Sequence, residues 1–582
     1  MRQQSLPPGH TAICTACGKR KQTVTSRTAF NILIGGEAGQ GLATVGEILA
    51  KSLVRSGYSI VVTQSYQSRI RGGHNTFSIR TGTEEILAPQ ESIDFLVALN
   101  ADTVALHRER LLPQGFIIAD ETSACDDDTC LKVPFKQLAA ERYANIVALG
   151  VTGALLGLNE GIIGQTMDDF FGRKHADLAG ENRQAITAAF QWTVSKDLSR
   201  GHLPPISSPH RRLMMNGNDA IALGALSAGL KFYAFYPMTP STSIGLSLAA
   251  RAKKMGVLVE QTEDEIAAIN MAIGASFAGA PSMVATSGGG FALMVEGVSL
   301  AGMTETPLVI VVAQRPAPAT GLPTRTEQAD LMFVLHAGHG EFPRVIFAPG
   351  TIEECFHLTR RALALAERYQ SPVFLLTDQF LADSYRAVLP FHLEDVSPIQ
   401  PGREPVPVSL PYKRYAITES GISPRLLPGM TERLVVAGSD EHTEDGHLTE
   451  DLSIRKEMVE KRLRKYRGMQ SEVIPPEISG DEKPEILLVS WGSIRGAVLE
   501  AASIMRREGK RVKTLSFPQV WPLVPELFLP ALQEAGKVVC VEGNATGQLA
   551  GLIRRETGFH IEKRVLRYDG LPLTPESILR EL

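Results

Sequence analysis

Short apolar runs along the chain lead directly into glycine-rich turns and then into longer amphipathic stretches. Four such runs are FNILIGG, MVATSGGG, ILLVSWGS and VVCVEGNATG. A short apolar run bounded by turn residues predicts a buried strand, and the pattern after each run predicts a helix. Strands that alternate with helices indicate α/β units with mainly parallel sheets. Ligands of such sheets bind where the strands end, which is where these glycine loops fall.

Changes in composition divide the 582-residue chain into three α/β units and the segments that join them. The units share a general type without an obvious internal repeat. The predicted segments are a polar N-terminal tail at 1–27, a first α/β unit at 28–200, a linker at 201–215, a second α/β unit at 216–390, an irregular charged and Pro-rich connection at 391–480, and a third α/β unit at 481–582.

Composition is that of an ordinary globular protein, with 44% hydrophobic and 21% charged residues. The net charge of −4 gives no reason to expect nucleic acid or an anionic membrane as a partner. No apolar run approaches the ~20 residues that span a bilayer, and the first residues are too polar for a signal peptide. Six cysteines make no disulfide framework. We expect a cytoplasmic protein.

The stretch VEQTEDEIAAINMAIGASFAGA places the acid Glu265 directly before an apolar segment. Residues 257–261 predict a strand, and Thr262 with Glu265 fits a capping box for the helix that follows. That helix is apolar nearly all round, which predicts that it is buried. Buried acids are also typical of active sites. Capping and catalysis both remain open for Glu265 on the local pattern.

The stretch FYAFYPMTPSTSIG predicts a rigid turn after a short strand. Thr239 lies in this turn, which Pro237 and Pro240 stiffen. Such a turn can hold a hydroxyl group and a backbone amide in fixed positions, as a binding site requires. The alternative is a helix N-cap by Ser241 or Thr242, and the two readings are compatible.

The strand PLVIVVAQ runs into the loop RPAPATGLPTRTEQADL. Arg315 stands at the carboxyl end of the strand, and Thr320 and Thr324 follow on the loop. A single Arg can bind a carboxylate through two parallel hydrogen bonds. A surface Arg is the alternative, but it would not explain the prolines and glycines around it, so we favour a binding role.

The first unit opens with the glycine loop GGEAGQG at 35–41. Its spacing is neither that of a Walker A loop nor that of the dinucleotide fingerprint. The loop is a tight turn or an anion site at a helix N-terminus, and the pattern does not separate the two. Downstream, RIRGGH gathers Arg69, Arg71 and His74 in a cationic loop for an anionic ligand or a partner, or one that is merely solvated.

Two cysteine pairs and one acidic segment are weaker signals. Cys14 and Cys17 form half a metal site at best, so we favour a plain or partner-facing tail. Cys125 and Cys130 flank three aspartates, which predicts an exposed loop. The segment at 440–447, DEHTEDGH, predicts a solvated excursion packed on a partner rather than a metal site. Apolar surroundings predict that two further cysteines, Cys355 and Cys540, are core residues.

Four motifs in the same order resemble the α subunit of 2-oxoacid:ferredoxin oxidoreductases, the 2-oxoglutarate branch above all. They are YPMTPST, EQTEDEIAAINMAIGASFAGA, TSGGGFALM and QRPAPATGLPTRTEQADL. GGEAGQG with RIRGGHNTFSIR resembles the γ subunit, fused ahead of α, and the block from WGSIRGAVLEA to VEGNATGQLAGLIRR resembles the last α domain. The resemblance implies a γ-like domain, a thiamine-diphosphate pyrimidine-binding-like domain and a transketolase C-terminal-like domain. Gly289 departs from the Pro that is usual in the family.

The resemblance also implies thiamine diphosphate as the cofactor and gives Glu265 a catalytic role. A carboxylate at N1′ of the aminopyrimidine ring favours the imino tautomer, which can take the C2 proton. Glu265 is then catalytic and cofactor-binding, together with three further cofactor-binding residues, Thr239, Pro240 and Gly288. The implied substrate-binding residues are Arg315, Thr239, Thr320 and Thr324.

Two motifs are missing from the sequence. It contains no GDG followed by Asn, the magnesium and diphosphate motif of thiamine enzymes, and no set of four cysteines for an iron–sulfur cluster. The resemblance therefore implies a β subunit that brings Mg2+ and a [4Fe-4S] cluster. Ferredoxin, coenzyme A and a 2-oxoacid are the other implied partners, in an (αβ)2 assembly.

The implied activity is the coenzyme A-dependent oxidative decarboxylation of a 2-oxoacid, above all of 2-oxoglutarate to succinyl-CoA, or the reductive reverse. Pyruvate or a branched-chain 2-oxoacid is an alternative substrate. A subunit that only binds coenzyme A or a nucleotide is an alternative of another class. A self-sufficient transketolase-like enzyme is a third, and the missing GDG motif argues against it.

Overall fold

The structure is a computed structural model that describes residues 27–66, 73–123, 125, 127–171, 176–196, 201–207, 209–393, 397–399, 401, 410–430 and 432–582. Cys14, Cys17, Arg69 and Arg71 lie outside the described residues. Within these ranges, none of the helices is both long and apolar enough to cross a membrane.

The first unit has a mixed sheet covered by helices. Strand β1 runs parallel to β4 and antiparallel to β3, so this sheet is less uniformly parallel than the sequence predicts. The elements are β1 (Ala29–Glu37), α1 (Leu42–Arg55), β2 (Ser59–Ser65), β3 (His74–Gly82), β4 (Ile93–Ala98), α2 (Ala101–His107), β5 (Leu111–Asp120), β6 (Cys130–Val133), α3 (Phe135–Leu138), α4 (Ala144–Leu155), α5 (Glu160–Phe171) and α6 (Ala176–Ser195).

The glycine loop between β1 and α1 is a tight turn. Gly39 and Gly41 have left-handed backbone conformations, with φ of 97° and 73°. A Cβ atom at Gly41 would lie 2.1 Å from the Asn145 side-chain nitrogen. The Gln40 side chain accepts a hydrogen bond from the Glu37 N–H at 2.9 Å. The turn explains the glycines without a ligand.

The second unit is a parallel sheet with helices on both faces. Strands β10, β11 and β13 are buried throughout, because both faces of the sheet are covered. The elements are β7 (Leu213–Met215), α7 (Gly217–Ser227), β8 (Phe232–Phe235), α8 (Thr242–Ala249), α9 (Ala252–Met255), β9 (Leu258–Gln261), α10 (Glu265–Phe277), β10 (Ser282–Thr286), α11 (Gly288–Met303), β11 (Leu308–Gln314), α12 (Leu331–His336), β12 (Val345–Phe347), α13 (Ile352–Tyr369), β13 (Pro372–Asp378), α14 (Gln379–Asp383) and β14 (Tyr385–Val388).

The third unit is a five-stranded sheet of order β15-β17-β16-β19-β20, parallel except where β15 pairs with β17. A long helix, α15, precedes it. The elements are α15 (Leu452–Ser471), β15 (Glu477–Gly480), β16 (Ile486–Trp491), α16 (Arg495–Arg507), β17 (Val512–Phe517), β18 (Gln519–Trp521), α17 (Leu529–Glu534), β19 (Lys537–Glu542), α18 (Gln548–Thr557), β20 (Lys563–Leu566) and α19 (Pro575–Glu581).

Strands exchanged between units tie the chain together. The first sheet has the order β6-β5-β4-β1-β3-β2-β14-β7, so β7 and β14, the first and last strands of the second unit, extend the sheet of the first unit. The second has the order β18-β12-β13-β11-β10-β8-β9, with β18 supplied by the third unit. The main apolar core also runs from Val312 and Phe374 of the second unit to Trp491 of the third.

The connection at 391–480 is not wholly irregular, contrary to the sequence prediction, because it contains α15 and β15. The acidic segment at 440–447 is also partly buried. Glu441 forms ion pairs with Arg455 and Arg462 of α15, and His442 is buried against the Tyr415 ring. Opposite charges from α15 therefore hold this segment on the chain itself.

The described cysteines are not part of an exposed loop. Cys125 is buried and Cys130 is half-buried in β6, so the predicted exposed loop is wrong for Cys125. Cys355 and Cys540 are fully buried, which confirms them as core residues. Among the described residues, no three His, Cys, Asp or Glu side chains gather in a way that could hold a metal ion.

Candidate active site

Four neighbouring strands of the second sheet deliver the predicted site segments to one edge. Strands β11, β10, β8 and β9 are consecutive and parallel. Their carboxyl ends lead to Arg315, Gly288, the Thr239 turn and Glu265, respectively. The carboxyl ends of parallel strands meet at the same edge, which is where α/β sheets bind ligands.

Glu265 is the first residue of α10 and not its N3 residue. The N-cap is Asp264, whose side-chain oxygen accepts a hydrogen bond from the Ala267 N–H at 2.7 Å. The Thr262 hydroxyl donates to the Asp264 carbonyl at 2.7 Å. The predicted capping box is therefore wrong, because a stronger capping residue lies between its two members. Glu265 has no capping duty.

The Glu265 carboxyl group is buried and incompletely paired. The residue is 3% exposed, and its Oε1 has no hydrogen-bond partner among the described residues. Burial raises the pKa of this carboxyl group, and the nearby Asp264 charge adds to the rise. A Cβ atom at Gly290 would lie 2.2 Å from Oε1. The same Cβ atom would lie 2.1 Å from the Thr286 hydroxyl oxygen, so the missing side chain at Gly290 lets both oxygens lie against its backbone.

The composition of helix α10 predicts that it is buried all round, but one side of it is exposed to solvent in this chain. Ile266 is 49% exposed and Met271 43% exposed. On the neighbouring helix α11, Leu293 is 51% exposed. We call Ile266, Met271 and Leu293 the apolar rim, since they lie on the two helices that begin at Glu265 and Gly288.

Arg315 and the Thr239 turn are in direct contact, which the sequence analysis did not predict. The buried Arg315 side chain donates to the Thr239 carbonyl at 2.6 Å. From the other side, Asn218 donates to the Pro240 carbonyl at 2.8 Å. The hydroxyl of Ser241 donates to the Met238 carbonyl instead of capping α8. These bonds fix the turn at both ends.

Sequence reasoning missed Asp330, an acid at the same edge. Asp330 is 7% exposed, and its Oδ2 has no hydrogen-bond partner among the described residues. A Cβ atom at Gly288 would lie 2.5 Å from that oxygen. Burial raises the pKa of Asp330 to about 6, against the opposing charge of Arg315. The available signal was an acid directly before an apolar helix in EQADLMFVL, the same signal that singled out Glu265.

The two loop threonines are not equivalent to the other site residues. Thr320 is exposed. The Thr324 hydroxyl donates to the carbonyl of Tyr66 in the first unit at 3.0 Å. Arg325 next to it donates to Ser65 at 2.8 Å. In this structure Thr324 therefore joins the loop to the first unit.

A cleft of about 720 Å³ lies where the three units meet. Its lining includes the His74–His107 pair, with the two Nε2 atoms 2.8 Å apart. Burial lowers the pKa of His74 and lowers that of His107 to about 4. Four arginines against two acids make the lining cationic: Arg110, Arg325, Arg567 and Arg580, with Glu91 and Asp383.

Family models match the three units separately. The model of the family "Pyruvate ferredoxin/flavodoxin oxidoreductase" matches residues 31–192. "Pyruvate flavodoxin/ferredoxin oxidoreductase, thiamine diP-bdg" matches residues 223–461, which contain the edge described above. "Transketolase, C-terminal domain" matches residues 478–581. The class is therefore that of thiamine-diphosphate-dependent oxidoreductases of oxoacids.

Whole-chain relatives narrow the class to one family. The α subunit of a 2-oxoacid:ferredoxin oxidoreductase from Sulfolobus sp is 32% identical, with 94% of this chain and 95% of the relative covered. The 2-oxoglutarate synthase subunit KorA of Methanothermobacter thermautotrophicus is 34% identical over 63% of this chain and 96% of its own length. The chain belongs to the 2-oxoacid:ferredoxin oxidoreductase α subunits.

A solved structure extends the comparison to the fold. The 2-oxoglutarate:ferredoxin oxidoreductase from Magnetococcus marinus, with 2-oxoglutarate, coenzyme A and succinyl-CoA bound, is 31% identical. The TM-score is 0.88, with 95% of this chain and 99% of that chain covered. This confirms the α/β fold and the order of its three units.

Proposed function

We propose that this chain and a partner subunit catalyse the coenzyme A-dependent oxidative decarboxylation of 2-oxoglutarate with ferredoxin as electron acceptor. The observation that carries the proposal is the buried, unpaired Oε1 of Glu265 beside the side-chain-free Gly290. Buried polar atoms are nearly always hydrogen-bonded, so an unpaired one at a ligand-binding edge indicates a missing partner. N1′ of the thiamine aminopyrimidine ring fits this place.

Glu265 acts by holding a proton at N1′. The buried position raises the pKa of its carboxyl group, so the proton is shared readily with a ring nitrogen. The dry surroundings strengthen this hydrogen bond. When bound, thiamine diphosphate supplies the C2 nucleophile and the electron sink for decarboxylation. Gly288 and the Thr239–Pro240 turn lie at the same edge and complete this chain's part of the cofactor site.

Arg315 is proposed to bind a carboxylate of the substrate. Its guanidinium group uses one N–H for the Thr239 carbonyl, which fixes the orientation of its planar group. Fixed N–H donors suit a carboxylate, which accepts two parallel bonds. The KorA name of one relative and the 2-oxoglutarate in the related structure favour 2-oxoglutarate over pyruvate or branched 2-oxoacids. Thr320 remains a candidate contact on the same loop.

The apolar rim is proposed to bind the partner subunit. Large apolar side chains exposed together mark interaction surfaces. The rim borders Glu265, so a partner bound there would cover the cofactor site and exclude water. The sequence lacks a diphosphate and magnesium motif and four cluster cysteines, so we assign Mg2+ and the [4Fe-4S] cluster to that β subunit, in an (αβ)2 assembly.

The cationic cleft is proposed to bind coenzyme A, whose phosphates are anionic. Four arginines of this chain line it, and one of them, Arg325, lies on the loop that follows Arg315. Calorimetric titration of the isolated chain with coenzyme A is expected to show binding without any partner. A complete lack of heat would place the coenzyme A site on the partner instead.

Reconstitution tests the function as a whole. The chain alone, with thiamine diphosphate and Mg2+, is expected to release no CO2 from any 2-oxoacid. The complex with its β subunit is expected to reduce ferredoxin with 2-oxoglutarate faster than with pyruvate or a branched 2-oxoacid. Turnover by the isolated chain would contradict the need for a partner, and a preference for pyruvate would overturn the substrate assignment.

Two charge insertions test the apolar rim. Met271→Glu is expected to weaken the complex strongly in size-exclusion chromatography, because it would bury a charge at the interface. Leu434→Glu is the control, since Leu434 is even more exposed, at 86% against 43% for Met271, and lies in the connection at 391–480. Equal elution of the two variants with the partner would exclude the rim as the interface.

A further inference from the structure

Asp330 stands at the start of helix α12 but does not cap it. It occupies the N-cap position, and no hydrogen bond runs from its side chain to the helix. An Asp at this position ordinarily accepts a bond from the first turn. Here Oδ2 lies toward Gly288, at the edge that holds Arg315 and Glu265. The Asp330 side chain therefore makes no capping hydrogen bond and lies instead at the candidate active site.

The position of Asp330 is fixed by the strand that carries Arg315. The Asp330 N–H donates to the side chain of Gln314 at 2.9 Å, and Gln314 in turn donates to the Thr377 carbonyl at 3.1 Å. Asp330 is more than nine-tenths buried, with Oδ2 unpaired. A buried carboxylate with an oxygen that accepts no hydrogen bond lowers the stability of the fold unless a ligand or a proton pairs with that oxygen.

The charged groups that face Asp330 in the described part of the chain are few. Burial raises the pKa of Asp330, and the Arg315 charge at the end of β11 opposes that rise. The pKa of Glu327 on the same loop is raised by burial first and by the Asp330 charge second. Helix α11 presents the unpaired hydroxyl of Ser287, and α18 meets the loop through the uncharged Gln548. Arg315 is therefore the counter-charge of Asp330.

We propose that Asp330 is a positioning residue that takes up a proton from solvent when a 2-oxoacid carboxylate binds Arg315. The inference rests on the proposed function, in which Arg315 receives that carboxylate. Before binding, the Asp330 carboxylate lies near the Arg315 cation. Binding adds the substrate carboxylate as a second anion in a dry site, and like charges at close range disfavour a second ionised group. Protonation of Asp330 removes that repulsion.

The direction of the pH effect follows from the position of Asp330. Burial raises its pKa to about 6, so it is mostly ionised at pH 7 in the free site and mostly protonated at pH 5. Substrate binding raises the pKa further. Proton uptake is therefore expected at pH 7 and is expected to disappear toward pH 5.

Calorimetry of the αβ complex measures the uptake without turnover. We would use 2-hydroxyglutarate, which carries both carboxylates of 2-oxoglutarate but no carbonyl at C2. Binding heats in two buffers of different ionisation enthalpy give the number of protons taken up. The wild-type complex is expected to take up about one proton per site at pH 7 and near none at pH 5.

Two variants assign the proton to its residue. Asp330→Asn is expected to bind 2-hydroxyglutarate with no uptake at pH 7, while the matched change Glu327→Gln keeps the uptake. Uptake that persists in Asp330→Asn would overturn the inference and point to Glu265 or another acid. A wild-type complex that binds without uptake would overturn it whatever the variants do. No binding to the wild-type complex would overturn the proposed function, and this inference with it.

Discussion

Two buried glutamates of the second unit, Glu265 and Glu305, have opposite environments. Glu265 opens α10, and Glu305 lies just beyond the end of α11. Both are almost fully buried. Burial raises the pKa of Glu265, while neighbouring cations lower that of Glu305 to about 2 despite its burial. Glu265 is thus left with one carboxylate oxygen unpaired, whereas Glu305 has two lysines as ion-pair partners.

The partners of Glu305 come from α15. Its carboxylate oxygens lie 2.6 Å from the Lys461 nitrogen and 2.5 Å from the Lys465 nitrogen. Both lysines are fully buried, one helical turn apart. Arg414 donates to the Glu305 backbone carbonyl at 2.9 Å. The cluster fixes α15 and its connection on the second unit.

The difference separates structural acids from functional ones. An acid whose charge is neutralised by cations of the same chain is not available to bind a ligand. Its removal leaves those cations buried without a counter-charge. An acid left unpaired at a sheet edge weakens the free chain and gains its partner only from outside. Burial alone does not distinguish the two, whereas the count of internal partners does.

Glu265→Gln gives the largest expected change in activity. The amide keeps the size of the side chain but cannot hold the proton at N1′, so kcat of the complex is expected to fall by about 10²–10⁴-fold, the range of general acid–base contributions. The N-cap Asp264 is untouched. Because the raised pKa of Glu265 makes its ionised form unfavourable in the folded chain, the melting temperature at pH 7 is expected to be unchanged or slightly higher.

Kinetics on the reconstituted complex and thermal unfolding of the same preparation check both halves of this prediction. A near-normal kcat would mean that Glu265 has no catalytic role. A large fall in melting temperature would mean that it is a structural acid, like Glu305.

Glu305→Gln is expected to lower stability and leave activity unchanged, the reverse of Glu265→Gln. Removing one partner of a buried ion pair costs about 3–5 kcal/mol, so the chain should melt at a clearly lower temperature, while kcat per folded complex stays the same. Glu296→Gln on the exposed face of α11 is the matched control with almost no expected effect.

The pH dependence of this loss has a definite sign. The pKa of Glu305 is depressed on folding, so its stabilisation is complete above its ordinary pKa of 4.5 and is lost as pH falls toward 2. The gap between wild type and Glu305→Gln, measured by thermal unfolding, is expected to narrow across that window. A gap that is constant with pH would mean that the ion pairs are not its source.

Local patterns predicted the strands and placed the Thr239 turn, Arg315 and the glycine loops at strand ends, because apolar runs followed by Gly or Pro turns mark where strands stop. The shared site of Glu265, Thr239, Gly288 and Arg315 came from the family resemblance. Local patterns could not predict the Glu305 cluster. Its lysines lie about 160 positions away along the chain, and a basic stretch such as KEMVEKRLRKYR has the composition of a solvated surface. Only tertiary packing shows that two of its lysines point inward.

The capping error has a local cause. Thr262, Asp264 and Glu265 all suit a helix start, and the choice among them depends on where the backbone leaves the extended conformation. Asp330 was missed for a different reason. Asp330 is a site candidate because its Oδ2 lacks a hydrogen-bond partner among the described residues. A sequence does not show which polar atoms remain without a partner after folding.

Arg315→Lys sharpens the comparison at an intermediate case, a buried charge that contacts the chain and is also proposed to contact a ligand. Arg315 donates to the Thr239 carbonyl and is proposed to bind a carboxylate of the substrate. A Lys keeps the charge but cannot pair with a carboxylate in two places. Losing one charge-assisted hydrogen bond costs ~1.5–3 kcal/mol, so KM is expected to rise roughly 10- to 140-fold. Thiamine diphosphate affinity should change little. The control is Arg344→Lys, a buried Arg of the same unit that donates to the Val334 and Ala337 carbonyls.

The choice of substrates shows which carboxylate Arg315 holds. If it holds the carboxylate far from the ketone, the variant should lose its discrimination between 2-oxoglutarate and a monocarboxylic 2-oxoacid, because only the former has that group. If it holds the carboxylate beside the ketone, KM should rise alike for every substrate. Steady-state kinetics with both substrates on the αβ complex separate these outcomes. Unchanged KM values for both would place Arg315 with Glu305, as a buried charge whose partners are all internal, and would remove it from the proposed substrate site.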